Sequence, residues 1–120
     1  MQNKFSHPYI ALTFDDGPYG KATEKILDIL KEKEVKATFF ITGEHISEYS
    51  SVLQRIFREG HVIANHGYHH SPFLFLRSSK QIIENLKKCE SAIFSELKIR
   101  PRFYRPSHGL IFPFTKKKIQ

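Results

Sequence analysis

Residues 37–41 read Ala37-Thr38-Phe39-Phe40-Ile41, apolar at every position but one. A strand with one wet face alternates polar and apolar side chains, whereas a continuous apolar run is buried on both faces, as in a parallel sheet. Ahead of this run, Ala22, Ile26, Leu27, Ile29 and Leu30 recur near helical spacing with charges between them, which predicts an amphipathic helix ending at about Glu34. Before that helix, Ile10-Ala11-Leu12-Thr13-Phe14 reads as a short strand, broken by the turn chemistry of Asp16-Gly17-Pro18. Beyond the run, Val52, Leu53, Ile56 and Phe57 mark a second helix that Gly60 stops, and His61-Val62-Ile63-Ala64 reads as a third strand. Ser78 and Gln81 have the form of a capping box, opening a long stripe through Ile82, Ile83, Leu86, Cys89, Ile93 and Leu97. Arg102-Phe103-Tyr104-Arg105, after Pro101, reads as a fourth strand. Strict alternation of strand and helix predicts an α/β fold of about four parallel strands joined by right-handed helical crossovers. No repeat, low-complexity stretch or linker interrupts residues 1–120, so the chain reads as one unit.

The composition narrows the function classes. With 40% hydrophobic and 13% aromatic residues, the chain has material for a core and is not a disordered basic tail. Cys89 is the single cysteine, which excludes an internal disulfide, and its place on the helical stripe makes it a small core side chain rather than a nucleophile. Nineteen Lys+Arg against 12 Asp+Glu leave a formal charge of +7. Much of that excess lies on helix faces (Lys31, Lys33, Lys87, Lys88) or at Lys116-Lys117-Lys118, where it reads as solvated surface, so no nucleic-acid partner is expected. No apolar run approaches the roughly 18 residues of a membrane span, and the polar opening lacks the apolar core of a signal peptide. As encoded, the expectation is a cytoplasmic chain with no membrane span.

In α/β folds the chemistry gathers in loops leaving the carboxyl ends of the strands. Asp15, Asp16 and Gly17 leave the first predicted strand, Thr42 and Gly43 the second, Asn65 to His70 the third, and Arg105 to Gly109 the fourth. Every unusual polar cluster therefore falls at one end of the sheet. His66 and His70, four residues apart, suit a divalent transition metal, and a carboxylate from Asp15 or Asp16 completes a three-ligand site with a position left for water. Adjacent residues point different ways, so one aspartate can bind metal while the other faces substrate or water, paired with and oriented by Arg105. On ligand count alone, a mononuclear iron oxygenase also fits two histidines and a carboxylate.

Thr13-Phe14-Asp15-Asp16-Gly17-Pro18, Asn65-His66-Gly67-Tyr68-His69-His70 and Phe103-Tyr104-Arg105-Pro106-Ser107-His108-Gly109 resemble, in order, the first three motifs of the polysaccharide deacetylases, the NodB-homology or carbohydrate esterase family 4 proteins. The resemblance covers essentially the whole chain from the first strand onward. It implies a distorted (β/α) barrel, and a divalent-metal-dependent hydrolase that removes acetyl groups from N- or O-acetylated glycans such as peptidoglycan or chitin oligomers, often those of the cell envelope. By motif position, Asp15 would be the general base, and Asp16, His66 and His70 the ligands of a metal, Zn2+ ahead of Co2+ or Ni2+. Arg105 would orient Asp15, and the backbone N–H of His108 would help to hold the oxyanion.

The departures from the family pattern carry expectations of their own. Gly67 stands where the family usually has Ser or Thr, so a hydrogen bond steadying the histidine loop is expected to be missing. Ser107-His108 replaces the more usual Pro-aromatic pair, and His69 is an extra imidazole, expected outside the ligand set. The family's fourth and fifth motifs, the second carrying the histidine general acid, have no counterpart in these 120 residues. A parallel barrel takes about seven or eight strand-helix units to close, so residues 1–120 read as the N-terminal part of the domain. Weak or absent N-deacetylation by this chain is the corresponding expectation, a truncated, catalytically impaired metal- or carbohydrate-binding remnant of such an enzyme being the alternative.

Overall fold

The structure, a computed structural model, describes residues 8–69 and 78–106. Its elements run β1 (Thr13–Phe14), α1 (Lys21–Glu32), β2 (Thr38–Ile41), a 3₁₀ turn (Gly43–His45), α2 (Ser50–Arg58), β3 (Val62–Asn65) and α3 (Ser79–Leu97). The strands form one parallel sheet in the order β1-β2-β3, with Thr13 opposite Thr38 and Phe39 opposite Ile63. This is the alternating parallel architecture that the sequence pattern predicts.

Helix limits follow local chemistry. Ser78 Oγ accepts from the Gln81 N–H while Gln81 Oε1 accepts from the Ser78 N–H, so the expected capping box opens α3. Gly60 ends α2 at φ +85°, a conformation that glycine adopts without a Cβ penalty.

All three helices pack on one face of the sheet. Leu27 and Leu30 of α1, Leu53 and Ile56 of α2, and Cys89 and Ile93 of α3 meet Phe39, Ile41 and Ile63 in a single buried cluster. Right-handed crossovers between sequentially adjacent parallel strands place the helices on one face in this way, as they do around a barrel. The other face carries the intervening side chains: Thr13, Thr38 and Phe40 line an open depression of about 480 Å³ together with Arg102 to Pro106. Cys89 is inert core, as expected; its thiol donates to the Ile41 carbonyl at 3.4 Å, and burial pushes its pKa up to about 12. Among the described residues, no helix is long and apolar enough to cross a membrane.

Two predicted strands are shorter than expected. The first pairs only at Thr13–Phe14, and Tyr9 and Ile10 are exposed. The Thr38 N–H donates to the Leu12 carbonyl (2.9 Å) at the start of this ladder, while Ala37 turns both its groups the other way, its N–H to His61 Nδ1 (3.1 Å) and its carbonyl to the Val62 N–H. The fourth is a single parallel bridge between Asn65 and Tyr104, held by Asn65 N–H to Phe103 O (2.8 Å) and Arg105 N–H to Asn65 O (3.1 Å). Pro101 and Pro106 flank it and offer no N–H to extend the ladder. The described sheet therefore has three strands and a bridge, not four strands.

His61 makes the fold sensitive to acid. Its Nδ1 must stay unprotonated to accept the Ala37 N–H, and burial, then the Lys36 charge, lower its pKa from the ordinary 6.5. A depressed folded-state pKa gives stability that is whole above pH about 6.5 and is lost as pH falls through the folded value. Thermal melts at pH 7 and pH 5 should therefore show a larger loss for the wild type than for His61→Asn, whose carbonyl oxygen can accept the same N–H without titrating.

Candidate active site

The two aspartates after β1 project to different partners. Asp15 Oδ1 lies 2.8 Å from Arg105 Nη1, which also donates to Thr13 Oγ1 at 3.1 Å. The Arg105 guanidinium stands over the Phe40 ring, 4.2 Å from its centroid, so its plane is set by a buried aromatic face as well as by its hydrogen bonds. Asp16, at φ +74°, turns the other way and places Oδ1 3.0 Å from His66 Nε2. The hydroxyl of Tyr19 has its pKa raised by burial and then by the charges of Asp16 and Glu44, so it remains a neutral phenol beside the site.

His66 is almost fully buried at the end of β3, and its Nδ1 lies 2.7 Å from the Arg105 carbonyl oxygen. A carbonyl only accepts, so Nδ1 carries the proton, and in the neutral imidazole Nε2 presents its lone pair toward the Asp16 carboxylate. A second-ring hydrogen bond of this kind fixes the tautomer of histidines that bind metals. The donor set thus fits a cation held between Asp16 and His66. Arg105 serves both halves, its side chain meeting Asp15 and its carbonyl meeting His66.

The histidine loop is steadied by groups other than a Ser or Thr at position 67. The Gly67 N–H donates to Asn65 Oδ1 (2.8 Å), Asn65 Nδ2 to the Leu86 carbonyl (3.0 Å), and the His69 N–H to Asn85 Oδ1 (3.0 Å), which ties the loop to α3. Gly67 sits at φ +89°, and a Cβ there would meet Asn85 Nδ2 at 2.6 Å, so a larger residue is doubly disfavoured. His69 is well exposed, with Nδ1 3.2 Å from Glu44 Oε2, in keeping with its expected place outside the ligand set.

Of the six site residues read from the sequence, Asp15, Asp16, His66 and Arg105 converge at one end of the sheet. His70 and His108 lie outside the described residues. Among the described residues, no group of three His, Cys, Asp or Glu side chains surrounds one point. Sequence reading missed Phe40 beneath Arg105, His45 beside Asp16, and Asn85 under the loop. Phe40 carried only a strand signal, and Asn85 sits on an unremarkable helix face.

Comparison with known proteins gives the family. The sequence profile of the family described as polysaccharide deacetylase matches residues 2–119. A peptidoglycan-N-acetylglucosamine deacetylase of Bacillus cereus is 43% identical over a 111-residue alignment that covers 89% of this chain and 40% of that protein. Among solved structures, the peptidoglycan deacetylase PdaC from Bacillus subtilis superposes with a TM-score of 0.86 at 35% identity, covering 91% of this chain and 54% of that one. A family 4 acetyl xylan esterase from Clostridium thermocellum, in complex with a cobalt ion, superposes at 0.83 with 31% identity, covering 89% of this chain and 52% of that one. The chain thus spans about two fifths of the Bacillus cereus relative and about half of the two solved chains. With a profile match over nearly its whole length and the same fold over the shared part, this chain belongs to the polysaccharide deacetylase family of hydrolases.

Proposed function

We propose that the chain carries the base and metal half of a deacetylase site acting on N-acetylated glycan, with peptidoglycan as the substrate class. The observation that carries this reading is the divergence of two adjacent carboxylates, Asp15 to Arg105 and Asp16 to His66. Asp16 and His66, with His70, would hold a divalent ion, Zn2+ or Co2+; a relative solved with cobalt supports that class of metal. When bound, such an ion supplies Lewis-acid polarisation of the acetyl carbonyl and lowers the pKa of a water.

Asp15 then has the role of general base. It takes one proton from the attacking water as the new C–O bond forms, and Arg105, braced on Phe40 and Thr13, keeps the carboxylate turned toward that position. The His108 N–H is assigned to the developing oxyanion. Collapse breaks the C–N bond as the nitrogen takes a proton from the protonated Asp15 or from solvent, so that a free amine leaves and the product acid ionises to acetate. The peptidoglycan assignment is supported by the relatives from Bacillus cereus and Bacillus subtilis, both described as peptidoglycan deacetylases.

The test is acetate release from acetylated peptidoglycan and chitin oligomers by the zinc-loaded chain. Release that falls to background in Asp15→Asn is the expected result, and equal release from wild type and variant overturns the reading.

A further inference from the structure

The loops bearing Asp16 and His66 are both fastened to the short segment that follows β2. The Thr42 N–H donates to the Gly17 carbonyl (2.8 Å), and His45 Nδ1 lies 2.8 Å from the Asp16 carbonyl oxygen. Because that oxygen only accepts, His45 Nδ1 carries the proton and donates. On the other side, the Gly43 N–H donates to the Gly67 carbonyl (2.9 Å) and the Glu44 N–H to the Tyr68 carbonyl (3.0 Å). Four consecutive residues thus grip the aspartate loop with one pair of donors and the histidine loop with the other.

Two features make this a spacing device. Asp16 stands at φ +74°, a left-handed conformation that most L-residues avoid. It persists where the surroundings over-determine it, and His45 fixes the peptide plane that sets where the Asp16 side chain leaves the backbone. His45 is itself held, its ring 4.8 Å from that of Tyr19. On the histidine side, a Cβ on Gly43 would lie 2.5 Å from Tyr68 Cδ2 and 3.2 Å from Tyr68 Cα. Only glycine allows this segment and the histidine loop to approach this closely.

We infer that residues 42–45 are a clamp that sets the separation of Asp16 and His66, and that His45 is a positioning residue acting through the Asp16 carbonyl. This rests on the reading of Asp16 and His66 as metal ligands. Outer partners that orient a ligand typically contribute 10–100-fold to metal affinity, and His45 falls in that class.

The experiment is calorimetric titration of the full 120-residue chain with Co2+, with the visible absorption of the bound ion as a second readout and melting of the metal-free proteins as the folding control. In His45→Asn the amide nitrogen takes the place of Nδ1, whereas in His45→Gln it falls where Nε2 sits. The Asn variant should bind within about threefold of wild type, and the Gln variant about 10–100-fold more weakly with an altered absorption band. If His45→Gln does not fold, His45→Ala replaces it with the same expectation. Wild-type affinity in the Gln or Ala variant, or equal losses in Asn and Gln, overturns the clamp. Asp16→Ala separates the two ideas: if it binds cobalt as wild type does, the metal reading fails and the clamp with it. If Asp16→Ala loses the ion while His45→Gln keeps it, the metal reading stands and the clamp alone is overturned.

Discussion

Replacing Asp16 or His66 by alanine is expected to weaken binding of a divalent ion by more than about 100-fold, beyond the 10–100-fold that outer partners cost. Asp16 Oδ1 and His66 Nε2 stand 3.0 Å apart, and the Arg105 carbonyl holds the imidazole in the tautomer with Nε2 available. Losing either side chain removes a direct donor, and losing His66 also leaves the Arg105 carbonyl without that partner. Asp15→Asn is the matched control. Its carboxylate is turned to Arg105, 2.8 Å away, so its affinity should stay within a few-fold of wild type. Competition titration with a coloured chelator measures all three. Equal affinity in wild type, Asp16→Ala and His66→Ala would mean that no cation is held between these two groups.

Leu53→Ala is expected to damage stability severely, costing about 2–5 kcal/mol. Leu53 is fully buried on α2, inside the cluster where the three helices meet Phe39, Ile41 and Ile63. Removal of the side chain forfeits its transfer free energy, and the neighbours, fixed on three helices and a sheet, can fill the space only in part. A small domain shifts in Tm by roughly 4–8 °C per kcal/mol, so the melting temperature should fall by about 8–40 °C. Ile29→Ala on the exposed face of α1 should change stability by no more than about 0.5 kcal/mol. Comparable losses from the two substitutions would contradict the packing described.

Much of this site was legible in the residues alone. Asp15, Asp16, His66 and Arg105 were readable because strand periodicity places each just beyond a strand end, and parallel strands bring those ends together. Cys89 was readable as core from its place on the α3 stripe. The consequence of Gly67 was not. A missing Ser or Thr suggested a loosely held loop, but Asn65 and Asn85 hold it through the Gly67 and His69 N–H groups. Nor was the weakness of the fourth strand, where the prolines at both ends of a plausible β run reduce it to one bridge.

The sequence by itself determined the alternation of strand and helix, the family and which polar residues stand at the strand ends, because periodicity and residue type are properties of side chains. The tertiary structure alone decided that the helices share one face, that the Arg105 carbonyl selects the His66 tautomer, and that residues 42–45 join the two loops. Most of those links run through backbone N–H and C=O groups. Every residue but proline carries the same pair, so which of them meet is written only in the fold.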